Sequence, residues 1–152
     1  MRYWLIKSEP SELSIDDLAA LPNQTVEWFG VRNYQARNFM RDEMQDGDLA
    51  IFWHSSCNNP GIYGIVKIIG ETHPDSYQFN PQSKYYDSAS TTNSPRWWCV
   101  DVVLVHKTNY VSIDKLRSCP ELSQMQVLKR GNRLSVSKVS RPEWEFIQGL
   151  LS

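Results

Sequence analysis

The sequence predicts an α+β domain on a small mixed or closed β-sheet, with a small barrel as its simplest form, and three observations carry that prediction. Apolar residues recur at period two in segments bounded by turn residues, helix-start signals precede short runs, and the two kinds of segment do not alternate as regular βαβ units. A length of 152 residues with 41% hydrophobic content suits one domain over residues 1–152, able to form a core without disulfide or metal staples.

The first strand runs from Tyr3 to Ile6, and the polar turn Lys7-Ser8-Glu9-Pro10 follows it, Pro10 keeping Glu9 out of helical geometry. Ser14-Ile15-Asp16-Asp17 places a hydroxyl three residues before an acid, a pairing that satisfies two orphan amides reciprocally and starts a helix. Asn33 caps a further helix that ends before Gly47. Strands follow from Asp48 to Trp53, from Gly61 to Ile69 and from Trp97 to His106. In the last two, Ile62, Gly64, Val66 and Ile68, then Trp98, Val100, Val102 and Leu104, alternate so that each strand sets one face on a core. Between them, Thr72 to Pro95 reads as a long loop of the functional or mobile kind. A short helix follows Ser112, and Ser140-Arg141-Pro142-Glu143 opens a C-terminal helix whose Trp144, Ile147, Leu150 and Leu151 stripe packs on the sheet.

A net charge of -1 excludes a protein that coats nucleic acid mainly through phosphates, although charge is locally clustered. Arg32, Arg37 and Arg41 recur at helical spacing, and Lys129, Arg130, Arg133, Lys138 and Arg141 form a second basic group; solvated faces are the alternative reading of both. Cys57, Cys99 and Cys119 are odd in number and far apart, so they read as structural thiols, and no cysteine or histidine spacing matches a metal site. No cofactor is expected. Without a membrane-length apolar run or a signal-peptide pattern after Met1, the chain is expected to be cytoplasmic and off the membrane, with a monomer favoured.

Five groups carry chemistry. Trp28 to Asn38 places Trp28, Arg32, Asn33 and Tyr34 around Gly30, the groups needed to stack on a planar ring and read its edge; a core Trp28, a turn at Gly30 and a mere cap at Asn33 are the alternative. Lys7 and Glu9 offer acid–base groups or an exposed ion-paired turn, and Ser8 beside them offers a hydrogen-bonding hydroxyl. Phe52-Trp53-His54-Ser55-Ser56 ends a strand, and alternation sends Trp53 to the face opposite Phe52 and His54; no nucleophile elbow accompanies the Ser and His. Tyr85 and Tyr86 either close a lid over a stacked ring or pack under their loop. Lys129 to Val136 offers Arg130 and Arg133 to phosphates or forms a turn into a strand.

Taken in order, YWLIKSEP (Tyr3 to Pro10), GVRNYQARN (Gly30 to Asn38), GDLAIFWHSS (Gly47 to Ser56), PGIYGI (Pro60 to Ile65), KYYD (Lys84 to Asp87), PRWWCVDV (Pro95 to Val102) and RGNRLSV (Arg130 to Val136) resemble the EVE domain, a branch of the PUA-like superfamily. Ordered blocks spread over nearly the whole chain make that resemblance specific. It implies a PUA-like pseudobarrel, a small mixed β-barrel with flanking short α-helices, that binds DNA or RNA carrying a modified cytosine or adenine flipped out of the stack. The resemblance assigns Ser8, Trp28, Asn33, Tyr34, His54, Ser55, Tyr85 and Tyr86 to a base pocket, and Arg32, Arg37, Arg130 and Arg133 to flanking phosphates. One departure stands out: the family pattern often has an acid between the Trp and the Gly, where this chain has Phe29. Two alternatives to a non-catalytic reader are an amidohydrolase using Lys7 and Glu9, by analogy with the related ASCH domains, and a protein-interaction module using the aromatic loop.

Overall fold

The computed structural model describes all residues from Met1 to Ser152. Strands β1 (Tyr3–Ser8), β2 (Thr25–Glu27), β3 (Leu49–His54), β4 (Gly61–Pro74), β5 (Trp98–Ser112) and β6 (Val136–Val139) form one six-stranded sheet in the order β2-β5-β4-β3-β1-β6. Only β1 and β3 run parallel; every other neighbouring pair is antiparallel. The short edge strands β2 and β6 do not pair with each other, so the mixed sheet is a pseudobarrel and not a closed barrel.

Four short helices flank the sheet: α1 (Ile15–Ala20), α2 (Tyr34–Asn38), α3 (Ile113–Arg117) and α4 (Arg141–Gln148). Their starts follow the local code. Ser14 with Asp17 and Ser140 with Glu143 form complete capping boxes, while Asn33 and Ser112 accept from Ala36 N and Lys115 N. After α2 a π-helical turn, Phe39–Glu43, carries the chain on before Gly47.

Strands β1, β3 and β4 are buried on both faces, which for β4 corrects the one-face expectation, whereas Val100, Val102 and Leu104 of β5 do share one core. Trp4, Ile6, Ala50 and Phe52 join Leu18 of α1 and Ala36 of α2 in one core, whereas Leu5, Ile51 and Trp53 join Leu116 of α3 and Ile147 of α4 in a second. Along β4, Ile62 and Ile65 belong to the second core but Val66 and Ile68 to the first. Against β3, one extra β4 residue lies between Ile62 and Gly64, which pair with the adjacent Trp53 and Phe52, and that bulge moves the β4 side chains beyond it to the other face.

The segment between β4 and β5 is organised from within. Asp75 caps a 3₁₀ turn, Ser76–Phe79, and the fully buried Gln78 ties it to β5 by donating to the Asp75 and Trp97 carbonyls and accepting from Trp97 N and Ser90 Oγ. No helix is long and apolar enough to cross a membrane.

Candidate functional site

Parallel pairing brings the C-terminal ends of β1 and β3 to the same edge of the sheet, with Ser8 opposite His54 and Ser55 N donating to the Ser8 carbonyl at 3.0 Å. A cavity of about 530 Å³ opens there, within the roughly 300–1,000 Å³ typical of small-molecule pockets. Its lining is drawn from the end of β1 (Lys7, Ser8 and Glu9), the residues after β3 (Ser55 and Ser56), the segment Trp28 to Arg32, Tyr85, and Asn132, Arg133 and Ser135 of the turn before β6.

Trp28 is 4% exposed and packs edge-on against Phe52, with ring centroids 5.6 Å apart and an interplanar angle of 85°. It is therefore both core and cavity wall. Its Nε1–H donates to no protein group, and no polar side-chain atom of the core is both unpaired and sealed from solvent, so this donor keeps access to solvent in a residue that lines the cavity.

Two residues on, Gly30 adopts φ +83°, and a Cβ there would sit 2.7 Å from the Tyr85 ring. Glycine is needed both for the left-handed backbone and for the close approach of that ring. Tyr85 lines the cavity with its hydroxyl 2.6 and 2.7 Å from the Glu12 carboxylate oxygens, to which it donates, and Lys84 pairs with the same carboxylate. Those bonds, from Lys84 first and Tyr85 second, hold the Glu12 carboxyl below its ordinary range, while burial and then Glu12 push the Tyr85 phenol up. Phe29, at the position where the family pattern often has an acid, presents an apolar ring braced by Tyr77 at 4.4 Å.

Asp75 holds this wall together. Only 1% exposed, it accepts from Gly30 N at 2.8 Å, Tyr77 N at 2.8 Å and Arg32 Nη1 at 2.9 Å. Arg32 also donates to the Val31 and Tyr85 carbonyls, which occupies three of its five N–H groups within the protein. The guanidinium is thus a brace between the Trp28 segment and the Tyr85 loop, a duty its sequence-based assignment to a phosphate did not anticipate.

The cavity brings together six of the anticipated residues: Ser8, Trp28, Ser55, Tyr85, Arg32 and Arg133. Ser8 enters with its proton engaged, because Oγ donates to the Leu13 carbonyl at 2.7 Å and keeps only acceptor capacity for a ligand. The other anticipated residues lie outside the lining. His54 is 5% exposed, and its Nε2 accepts from Ile15 N at 3.2 Å; burial holds its imidazole below the usual pKa, so it is a neutral cap on α1. Asn33 caps α2, its Oδ1 accepting from Ala36 N at 3.0 Å. Tyr34 stacks on Trp97 at 4.9 Å beneath Arg37, whose own donors go to Asn38 Oδ1 and the Arg96 carbonyl. Tyr86 faces solvent beside Tyr85, and Arg130 stays exposed on the turn that carries Arg133.

Sequence reasoning missed Glu12 in the lining and Asp75 behind it, and gave no contact role to Phe29, Asn132 or Ser135, which lie in segments it had singled out. For Asp75 a local signal exists: Oδ1 accepts from the amide two residues on, the Asx turn that an Asp before Ser-Tyr favours. A Cys99–His73–Asp101 alignment elsewhere looks like a nucleophile, base and orienter, yet Cys99 is sealed at 0% exposure and burial pushes its thiol far up, so it cannot supply a thiolate. No three His, Cys, Asp or Glu side chains are grouped to hold a metal ion.

Comparison with known proteins extends this geometry. The EVE domain family matches residues 2–150. Thymocyte nuclear protein 1 of Gallus gallus is 40% identical over 166 aligned positions, covering 97% of this chain and 68% of that protein. The crystal structure of human THYN1 protein in complex with 5-methylcytosine-containing DNA superposes with a TM-score of 0.92 at 39% identity, covering 99% of this chain and 97% of that one. A mutant ASCH protein from Zymomonas mobilis, at TM-score 0.56 and 8% identity over 100% of both chains, shares the fold alone.

Proposed function

The chain belongs to the EVE-domain family, and on that premise we propose that it is a non-catalytic reader of nucleic acid carrying a modified base, with a modified cytosine in DNA as the leading ligand. The observation that carries this reading is the cavity at the parallel strand ends. It is roomy enough for one nucleobase and is lined by a buried indole, by Tyr85 and by Arg133. A flipped base pays a few kcal/mol to leave the stack, and stacking on Trp28 with hydrogen bonds to its edge offsets that cost. The roles of Ser8, Trp28, Ser55 and Tyr85 as base contacts and of Arg133 as a phosphate contact belong to this proposal. So do RNA as an alternative carrier, a cytoplasmic monomer as the working form, and the absence of catalysis.

Titration of intrinsic tryptophan fluorescence with oligonucleotides bearing 5-methylcytosine, 5-hydroxymethylcytosine or N6-methyladenine, against unmodified controls, tests the reading. Trp28→Ala should abolish the preference for a modified base and cost about 3–5 kcal/mol of stability, as truncation of a buried tryptophan does. Binding no better than the control for every modification, or a preference that survives Trp28→Ala, overturns it. The amidohydrolase reading would make Lys7 and Glu9, both in the cavity lining, the working pair. Turnover of acylated cytidine that vanishes in Lys7→Ala would establish it instead.

A further inference from the structure

The charges that line the cavity do not cancel inside the protein. Arg32 is neutralised by Asp75, and Glu12 by Lys84 with Tyr85. Lys7, Glu9 and Arg133 remain, and none of the three forms an ion pair with another. Glu9 and Arg133 are exposed, where water solvates them at little cost. Lys7 is only half-exposed, on a strand held on both sides by β3 and by its own amide donating to the Ser135 carbonyl.

An ammonium withdrawn from water without a counter-ion carries a desolvation cost that a partner of opposite charge removes. Burial accordingly lowers the Lys7 pKa from the ordinary lysine range. Of the two carboxylates in the lining, that of Glu12 is engaged by Lys84 and the Tyr85 hydroxyl, and that of Glu9 is exposed and forms no ion pair with Lys7. The cavity therefore presents Lys7 as its one partly buried cation without a counter-ion, with the Trp28 Nε1–H as a second unengaged donor.

We propose that Lys7 is a specificity-determining residue that selects ligands placing an oxyanion in this cavity, the group being either a carboxylate on the inserted base or the phosphate of the same nucleotide. The proposal rests on the base-reading function above and adds the class of substituent that the reader prefers. A methyl group gives Lys7 nothing to bind; an oxyanion forms a charge-assisted hydrogen bond with it in a site only partly screened by water. Arg133, exposed in the lining, adds attraction at longer range and would not discriminate between substituents.

Two pairs of probes identify the oxyanion. The first pair is oligonucleotides carrying 5-carboxylcytosine or 5-methylcytosine, with an unmodified cytosine strand as reference; the second is 5-methylcytidine 5′-monophosphate against 5-methylcytidine. Each is titrated against the intact chain and against Lys7→Gln and Lys7→Arg, with thermal melts to verify folding. In the intact chain at least one oxyanion probe should bind about tenfold tighter than its neutral partner. That ratio should fall close to one in Lys7→Gln and largely survive in Lys7→Arg, an outcome that mere packing of the lysine stem would not produce. Collapse of the carboxyl-to-methyl ratio assigns the base carboxylate, and collapse of the nucleotide-to-nucleoside ratio assigns the phosphate. If both ratios are the same in Lys7→Gln as in the intact chain, the proposal is wrong. The base-reading function fails separately, when no modified strand outbinds the cytosine strand, and the nucleotide pair still decides the role of Lys7 in that case.

Discussion

Arg32 and Arg37 in the segment that follows Trp28, and Arg130 and Arg133 in the turn before β6, carry the same charge and the same expected duty, yet the fold treats the two pairs oppositely. Arg32 is bonded to Asp75 and to two carbonyls, and Arg37 to Asn38, to the Arg96 carbonyl and to the face of Tyr34. Arg130 and Arg133 are exposed and form no ion pair. A guanidinium whose donors are engaged stabilises the wall that contains it; one whose donors face water is available to a phosphate. The difference teaches that formal charge counts potential partners, whereas binding depends on the donors left over after folding.

The largest effect should come from removing what engages Arg32. Asp75→Ala leaves a mostly buried guanidinium and the Gly30 and Tyr77 amides unmatched, for a loss of about 3–5 kcal/mol in chemical denaturation. A loss below about 1 kcal/mol would show that Asp75 does not hold this wall. Arg32→Ala should cost less, about 2 kcal/mol, because Asp75 keeps its two amide donors.

The outward pair should behave as the mirror image. Arg133→Ala and Arg130→Ala are expected to change stability by no more than about 0.5 kcal/mol and to weaken binding of all oligonucleotides alike. Each should lower the slope of log K against log salt by about 0.7–0.9, the contribution of one released counter-ion. Arg32→Ala should leave that slope where it was. An equal slope change in Arg32→Ala and Arg133→Ala would erase the distinction between the two pairs.

A smaller effect sharpens the same point with histidines, where the partner again decides the charge. His73 lies 2.9 Å from the Pro74 carbonyl through Nδ1 and 2.8 Å from Asp101 through Nε2, which makes both nitrogens donors. Burial alone would lower its pKa, but those two bonds raise it on balance. Its stabilising contribution is complete below about pH 6.5, the unfolded value, and is lost as pH rises through the higher folded value. His54 has the opposite sign. Burial lowers its folded value, so its contribution is present above about pH 6.5 and is lost as pH falls through the folded value. Melting temperatures across pH 5–8 should therefore show His73→Gln flattening the alkaline limb and His54→Gln flattening the acid limb. Identical pH profiles for the two variants would contradict the assignment.

Much of the fold was legible because its signals are local. Both capping boxes, the Asn33 and Ser112 caps and the Pro142 helix start act within four residues, so the sequence carries both partners of each bond. Four of the six strands were legible too, but β2 was not read, β6 was read only as the alternative to a phosphate-binding turn, and the faces of β4 were not legible, since a bulge is set by the register of a partner strand. In the site, Ser8, Ser55 and Trp28 were readable from strand ends and residue type. The choice of Tyr85 over Tyr86 was not readable, because in a turn of adjacent tyrosines only the path of the loop decides which ring faces Gly30.

The sequence by itself determined the helix starts, the four longer strands, the family pattern and the chemical types gathered near the strand ends, because these depend on near neighbours and composition. Tertiary structure decided which of those groups remain available. Asp75 engages Arg32 across 43 positions, Glu12 engages Tyr85 across 73, and Ile15 engages His54 across 39. Each bond removes a donor or acceptor from the list a ligand could meet, and no spacing along the chain announces it, since the two partners meet only after the sheet has folded. Lys7 is what this subtraction leaves in the cavity lining: a half-buried cation with no partner of its own.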